Sequence, residues 1–238
     1  MTHVHTTPRR HFLRGILTAA TALSLPLTDL RAEAATPQAG SNDWLGELKG
    51  SHRCFFDFPQ HKNGFPLLHM RNYLNTYATA LGTGPGQVGA VGSFYSMGGA
   101  ASIGMAFDDA MWAKYGLGEY FGLRDADGRP YTRNVFNSPT EADGHLFAKA
   151  LDGPELPMFG GAIVGSGIKS LQGMGAKFLL CNNALNGWTF DLEARGKGAQ
   201  AAINTELRAH LLPGVTIVPA MVIAIEQAQG AGIAYNKQ

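Results

Sequence analysis

Apolar positions between residues 52 and 235 fall into short runs separated by stretches of helical period. Residues 52–58 (HRCFFDF) predict a first strand, short, aromatic and apolar. Past a polar loop at 59–64, Leu67, Met70, Leu74, Tyr77, Ala78 and Leu81 share one helical stripe, and the Gly-Pro-Gly cluster at 82–86 ends it. Residues 87–95 (QVGAVGSFY) predict a glycine-rich second strand. Residues 96–115 predict a helix opening on Gly98-Gly99-Ala100-Ala101, with Met105, Phe107, Met111 and Trp112 as its apolar contacts. The pattern fades over 116–158, where Asp125-Ala126-Asp127-Gly128 is a turn and four prolines fall. That stretch reads as an insertion with one short helix at 141–151. A helix over 160–174, through Ile163, Val164, Ile168 and Leu171, precedes a third strand at 177–180 (KFLL) that runs into Cys181. Residues 199–212 predict an amphipathic helix, 215–219 (VTIVP) a fourth strand, 221–229 a helix and 233–235 an edge strand.

Alternating short apolar strands and helices predict an α/β fold: a mainly parallel sheet of four to five strands with helices on both faces. Such sheets place ligand chemistry beyond the carboxyl ends of their strands. That rule selects Asp57 with Gln60 and His61, Ser93 with Tyr95 and Ser96, Cys181 with Asn182 and Asn183, and Pro219 with Ala220. Cys181 is the candidate catalytic residue, because a thiolate at the start of a helix is favoured by the N–H groups there. Asn182 and Asn183 are candidate donors to a sulfur anion, and His61 or His69 a candidate acid or base. The competing reading is a buried packing cysteine, since free Cys is among the most buried residue types. Cys54 lies early in the first strand and Cys181 at the end of the third, an offset too long for a disulfide. Cys54 is therefore expected in the core.

No His or Cys pair shows a metal-ligand spacing, so no metal is expected. Gly82-x-Gly84-x-Gly86 precedes a strand and is no dinucleotide fingerprint. Asp125-x-Asp127-Gly128 lacks the further acidic ligands of a calcium loop. Ser93 and Ser96 have no His and Asp at a hydrolase spacing.

The amino terminus changes the destination. Pro8-Arg9-Arg10-His11-Phe12-Leu13-Arg14 resembles the twin-arginine export motif, with Pro8 and Arg14 where Ser or Thr and Lys are common. An apolar stretch at 16–27 is too short to span a bilayer, and Ala32-Glu33-Ala34 supplies a cleavage pattern. Residues 1–34 are thus expected to be a signal peptide, 35–50 a linker on which Trp44 and Leu45 dock, and 51–238 the domain. Removing 1–34 takes four of 19 Lys and Arg and two of 18 Asp and Glu, leaving 15 against 16. That balance excludes an electrostatic footprint for nucleic acid or an anionic membrane. No second segment is apolar enough to cross a membrane, so no span is expected in the mature form.

The order of elements, the Phe178-x-x-Cys181-x-Asn183-Ala184-Leu185 run and the tail carry a resemblance. The tail reads Pro213-Gly214-Val215 through Val218-Pro219, Val222, Ile225, Gln229, Gly232 and Tyr235. Together they resemble the DsrE/DsrF-like family, best over 158–237 and more loosely over 52–96. The resemblance implies a flavodoxin-like three-layer sandwich assembled as a homo-oligomer. It implies a sulfur carrier in which Cys181 holds a persulfide and hands sulfur to a thiol-bearing partner. The family's sulfur carriers are mostly cytoplasmic, whereas this chain carries a periplasmic export signal read by the export machinery. The alternatives are a non-catalytic small-ligand-binding or assembly protein, and a metal or haem carrier. The cofactor, if any, is unknown from sequence.

Overall fold

A computed structural model describes residues 43–84, 86–146 and 160–238. Residues 1–34, expected to be an export signal, and the carboxyl end of the insertion lie outside the described residues. Five strands form one all-parallel sheet in the order β4-β3-β2-β1-β5. They are β1 (His52–Asp57), β2 (Val88–Phe94), β3 (Lys177–Cys181), β4 (Val215–Val218) and β5 (Ala234–Lys237). Helices lie on both faces, giving the three-layer α/β arrangement of flavodoxin-like folds.

Side chains alternate across each strand and sort into two cores. Cys54, Phe56, Ala90, Phe94, Phe178 and Leu180 face the larger one. It is covered by α2 (Phe65–Ala80), α3 (Asp109–Tyr115), α4 (Leu117–Tyr120), α5 (Gly160–Val164), α6 (Ile168–Gly173), α7 (Asn182–Ala194) and α8 (Gln200–Ala209). Phe55, Val91, Leu179, Cys181 and Val218 face the smaller one. Only α1 (Asp43–Glu47) and α9 (Met221–Gly230) cover that face among the described residues. Trp44 of α1 is buried edge-on against Phe55, with ring centroids 6.2 Å apart. Part of the expected linker is thus a helix that closes the smaller core.

The glycines of β2 have a packing reason. A Cβ on Gly92 would lie 2.8 Å from the Phe178 ring, and one on Gly89 2.7 Å from the Lys49 carbonyl. Their absence lets Phe178 stack on Phe94 at 5.1 Å on one face and lets the chain entering β1 cross the other.

Two expected helices differ. Residues 96–115 do not form one helix: after β2 the chain turns, makes a 3₁₀ segment at Ile103–Ala106 and enters α3 only at Asp109. The buried Ser102 hydroxyl accepts the Tyr95 N–H at 3.1 Å and faces the carbonyls of Ser93 and Tyr95, holding the turn. Asp108 then caps α3, its Oδ1 accepting the Met111 N–H at 3.1 Å. The helix expected over 160–174 is two, α5 and α6, broken where Gly167 lies so close to Asn137 and Pro139 that a Cβ has no room. The insertion contributes α4, a 3₁₀ turn at Glu141–Asp143 and a helical start at 144–146, and residues 147–151 of its expected helix lie outside the described residues. The tail adds β5 as an edge strand parallel to β1.

Candidate functional site at the strand ends

Connections from β1, β2 and β3 run over the larger-core face, whereas α9, leaving β4, crosses the other. Adjacent strands whose outgoing chains part to opposite faces open a crevice, and here those strands are β3 and β4. Cys181 ends β3 and pairs in register with Val218, the last residue of β4. It also caps α7. Its Sγ accepts the N–H of Ala184 at 3.4 Å and that of Met221, the first residue of α9, at 3.4 Å. Two helix amino termini therefore converge on one sulfur, and both favour negative charge there. The side chain is 6% exposed, with Leu179, Val218 and Met221 around it. The sulfur lies just beneath the surface of the crevice rather than in an open pocket.

A second set of polar groups shares this face. Asp57 ends β1 and is 4% exposed. Its Oδ1 accepts the Ser93 hydroxyl at 3.1 Å and its Oδ2 the Tyr235 hydroxyl at 2.7 Å. Ser93 in turn accepts the Phe58 N–H at 3.0 Å. Among the described residues Asp57 has no ion-pair partner, so hydroxyls alone compensate the burial of its carboxylate. The carboxylate hydrogen bond, with burial adding to it, pushes the Tyr235 phenol up to about 12. Tyr95 follows β2. The pairing of Ser93 with Leu179 and Phe94 with Leu180 brings it beside Cys181 on the neighbouring strand. Burial, then Asp57, raises the Tyr95 phenol well above the ordinary range. Yet its hydroxyl closes no hydrogen bond of ordinary length among the described residues. Asp57 lies two strands from Cys181, on the order of 10 Å. A negative charge there opposes a sulfur anion by about 1–2 kcal/mol at a near-surface dielectric.

The other sequence-selected residues are distributed differently. The Asn182 carboxamide oxygen accepts the Arg208 guanidinium, which also donates to Asn204 at 2.6 Å. Asn182 thus ties α7 to α8, and Asn183 is exposed. Backbone N–H groups, not these two side chains, meet the sulfur. Ser96, directly after Tyr95, holds a left-handed backbone at φ 73°, rare for a residue with a Cβ. His61 is 6% exposed and packs on Phe121 and Phe136, on the larger-core side of the sheet. Its Nδ1 accepts the Asn63 N–H at 3.1 Å, so Nε2 carries the proton and donates to the Gly99 carbonyl at 3.3 Å. Burial lowers its pKa against the opposing pull of the Gly99 and Phe121 carbonyls. His69 lies on α2, bonded to the Gln238 side chain, and not in a loop. It lines a groove of about 840 Å³ with Phe65, Tyr73, Tyr77, Asn236 and Lys237. This groove lies across the sheet from Cys181, and neither histidine meets the sulfur. Cys54 faces the larger core, where burial pushes its thiol up to about 11. Both cysteines are free and on opposite faces.

Asp57 was selected from sequence as a strand-end residue, but its partner Tyr235, 178 residues away, was not selected as a site residue. The usable signal was a carboxylate inside an aromatic run (FFDF), where alternation separates it from Phe56 and Phe58. Among the described residues no three His, Cys, Asp or Glu side chains gather as a metal site. Nor is any described helix long and apolar enough to cross a membrane.

No protein-family model matches the chain, and no curated protein matches it. A solved structure similar to it is a protein of unknown function from Methanobacterium thermoautotrophicum, 18% identical. The alignment covers 79% of this chain and 100% of that one, with a TM-score of 0.38.

Proposed function

We propose that this chain is an exported sulfur-handling protein of the DsrE-like kind, in which Cys181 carries sulfane sulfur as a persulfide. The observation that carries the reading is the sulfur at the β3–β4 crevice, receiving the Ala184 and Met221 N–H groups. In loading, the Cys181 thiolate attacks the outer sulfur of a persulfide or polysulfide. The donor's S–S bond breaks and the donor leaves as a thiolate. In discharge, an acceptor thiolate attacks the outer sulfur and Cys181 leaves as a thiolate, which the same two N–H groups receive. No oxidant is consumed in either step. Mass spectrometry after polysulfide treatment is expected to show one added sulfur, 32 Da in mass (a general mass increment), on Cys181 and none in Cys181→Ser. An unmodified Cys181 overturns the reading.

Export through the twin-arginine route to the periplasm belongs to the same proposal. It rests on Arg9, Arg10, the apolar stretch and Ala32-Glu33-Ala34. Cell fractionation is expected to retain an Arg9→Lys, Arg10→Lys double variant in the cytoplasm.

A second reading is favoured by the 6% exposure of Cys181 and by Val222 and Ile223 of α9, 73% and 44% exposed. In it the chain is a non-catalytic binding or assembly protein whose α9 meets another copy. Sulfur loading separates the two: assembly is expected to be lost from Val222→Glu by sedimentation under either reading that uses α9, while Cys181 takes up sulfur only if the carrier reading holds.

A further inference from the structure

Building on the persulfide reading, we infer that Tyr95 donates a hydrogen bond to the sulfur carried at Cys181, with Asp57 and Tyr235 as its positioning residues. Tyr95 is the cross-strand neighbour of Cys181 on the same face of the sheet. Its ring is half-buried and its hydroxyl leans toward Asp57 without closing a hydrogen bond of ordinary length, whereas the Tyr235 hydroxyl is held by Asp57 at 2.7 Å. Ser93 and Tyr235 occupy the Asp57 carboxylate on both oxygens, so it draws the Tyr95 hydroxyl without fully capturing it. The phenol stays protonated through neutral pH, because burial and the carboxylate both disfavour its anion. It is therefore a permanent donor beside a sulfur that gains negative charge. The sulfur also receives the Ala184 and Met221 N–H groups, each at 3.4 Å. Ser96 follows immediately at φ 73°, a conformation that fixes where the chain carrying Tyr95 turns away.

The arrangement sets two charges against each other through one hydroxyl. Asp57 repels a sulfur anion, and Tyr95, lying between them, donates to whichever negative group needs it. In discharge the acceptor thiolate bonds to the outer sulfur, the bond from that sulfur to Cys181 breaks, and Tyr95 steadies the outgoing pair without giving up its proton. The other charged groups nearby are Lys237, the register partner of Asp57 on β5, Arg208, committed to Asn182 and Asn204, and the exposed Glu226 of α9. None lies between the carboxylate and the sulfur, since β5 flanks β1 on the side away from β3.

Alkylation of Cys181 by iodoacetamide, followed across pH in a Cys54→Ser background of the mature chain, tests this without relying on sulfur transfer. In Asp57→Asn the rate profile is expected to move to lower pH, a gain on the order of tenfold at a fixed pH on its rising limb. In Tyr95→Phe it moves the opposite way by a smaller factor, and Tyr235→Phe follows Tyr95→Phe. A merely structural role changes every rate by one factor and leaves the profile in place. Profiles that do not move, or a Cys181 that is never labelled in the folded chain, overturn the inference. The same variants treated with polysulfide keep the two ideas apart. Shifted alkylation profiles with no added sulfur leave the Tyr95 coupling standing and remove the carrier reading. Added sulfur with unmoved profiles does the reverse.

Discussion

The two faces of this sheet are built from the same strands but differ in content. One carries Cys54 among Phe56, Phe94, Phe178 and Leu180 under seven helices. The other carries Cys181 in line with Asp57, Ser93 and Tyr95, under two helices among the described residues. Both cysteines are nearly buried, at 5% and 6% exposure, so exposure does not distinguish them. Their surroundings do. Cys54 has hydrocarbon and a weak contact to the Phe55 carbonyl, an acceptor that does nothing for a sulfur anion. Cys181 has two N–H donors brought by the topology. A sulfur's chemistry is set by the groups that face it, and alternation along a strand decides which set it meets.

That contrast is broken most directly by measuring the two thiols side by side. With its thiol pushed up to about 11, Cys54 is a thiolate in about one molecule in a thousand at pH 8. Peptide mapping after brief alkylation of the native chain is expected to find Cys181 labelled and Cys54 untouched until denaturant is added. Comparable labelling of both erases the distinction between faces. Next in size is packing. Phe178→Ala is expected to destabilise by about 3–5 kcal/mol in urea unfolding, because the ring is fully buried against Phe94. Val222→Ala, on the outer side of α9, is expected to change stability by less than about 0.5 kcal/mol.

Acid sharpens the comparison through His61, which lies on the hydrocarbon side. Its folded pKa is lowered, chiefly by burial, so the unfolded chain takes up a proton more readily. The stability this contributes is complete above the ordinary histidine value of 6.5 and is lost as pH falls through the lower folded value. Urea midpoints are expected to fall across that window in wild type and to fall less in His61→Gln, whose amide does not titrate. A small effect of opposite sign is at the crevice: Ser96→Gly is expected to stabilise by about 0.5–1 kcal/mol, since glycine adopts a positive φ without strain. A loss of stability there indicates that the Ser96 side chain is engaged.

Much of the architecture was legible because parallel strands buried on both faces leave continuous apolar runs. HRCFFDF, KFLLC and VTIV mark β1, β3 and β4 within a residue or so. Residues 96–115 were misread for a physical reason: Met105, Phe107, Met111 and Trp112 mimic a helical stripe. A single buried hydroxyl, Ser102, turns the chain instead, and no periodicity encodes that. At the site, Cys181 was legible from its place at a strand end. Its second donor was not, because Met221 lies 40 residues away and arrives only through the crossover to the opposite face. Asn182 and Asn183 drew attention by adjacency, yet the first turn of α7 points the Asn182 side chain toward Arg208. Adjacency in sequence predicts proximity of backbone, not direction of side chain.

The last strand pairs with the first, and the Tyr235 to Asp57 hydrogen bond spans 178 residues. A growing chain can build the hydrocarbon side from β1, β2 and α2 and give Asp57 its Ser93 partner, but the second oxygen stays bare until β5 pairs with β1. Maturation of the crevice thus waits on the pairing of β5 with β1, and a slow, late step in refolding, read by hydrogen exchange at the β5 amides, is the kinetic trace such long-range closure leaves.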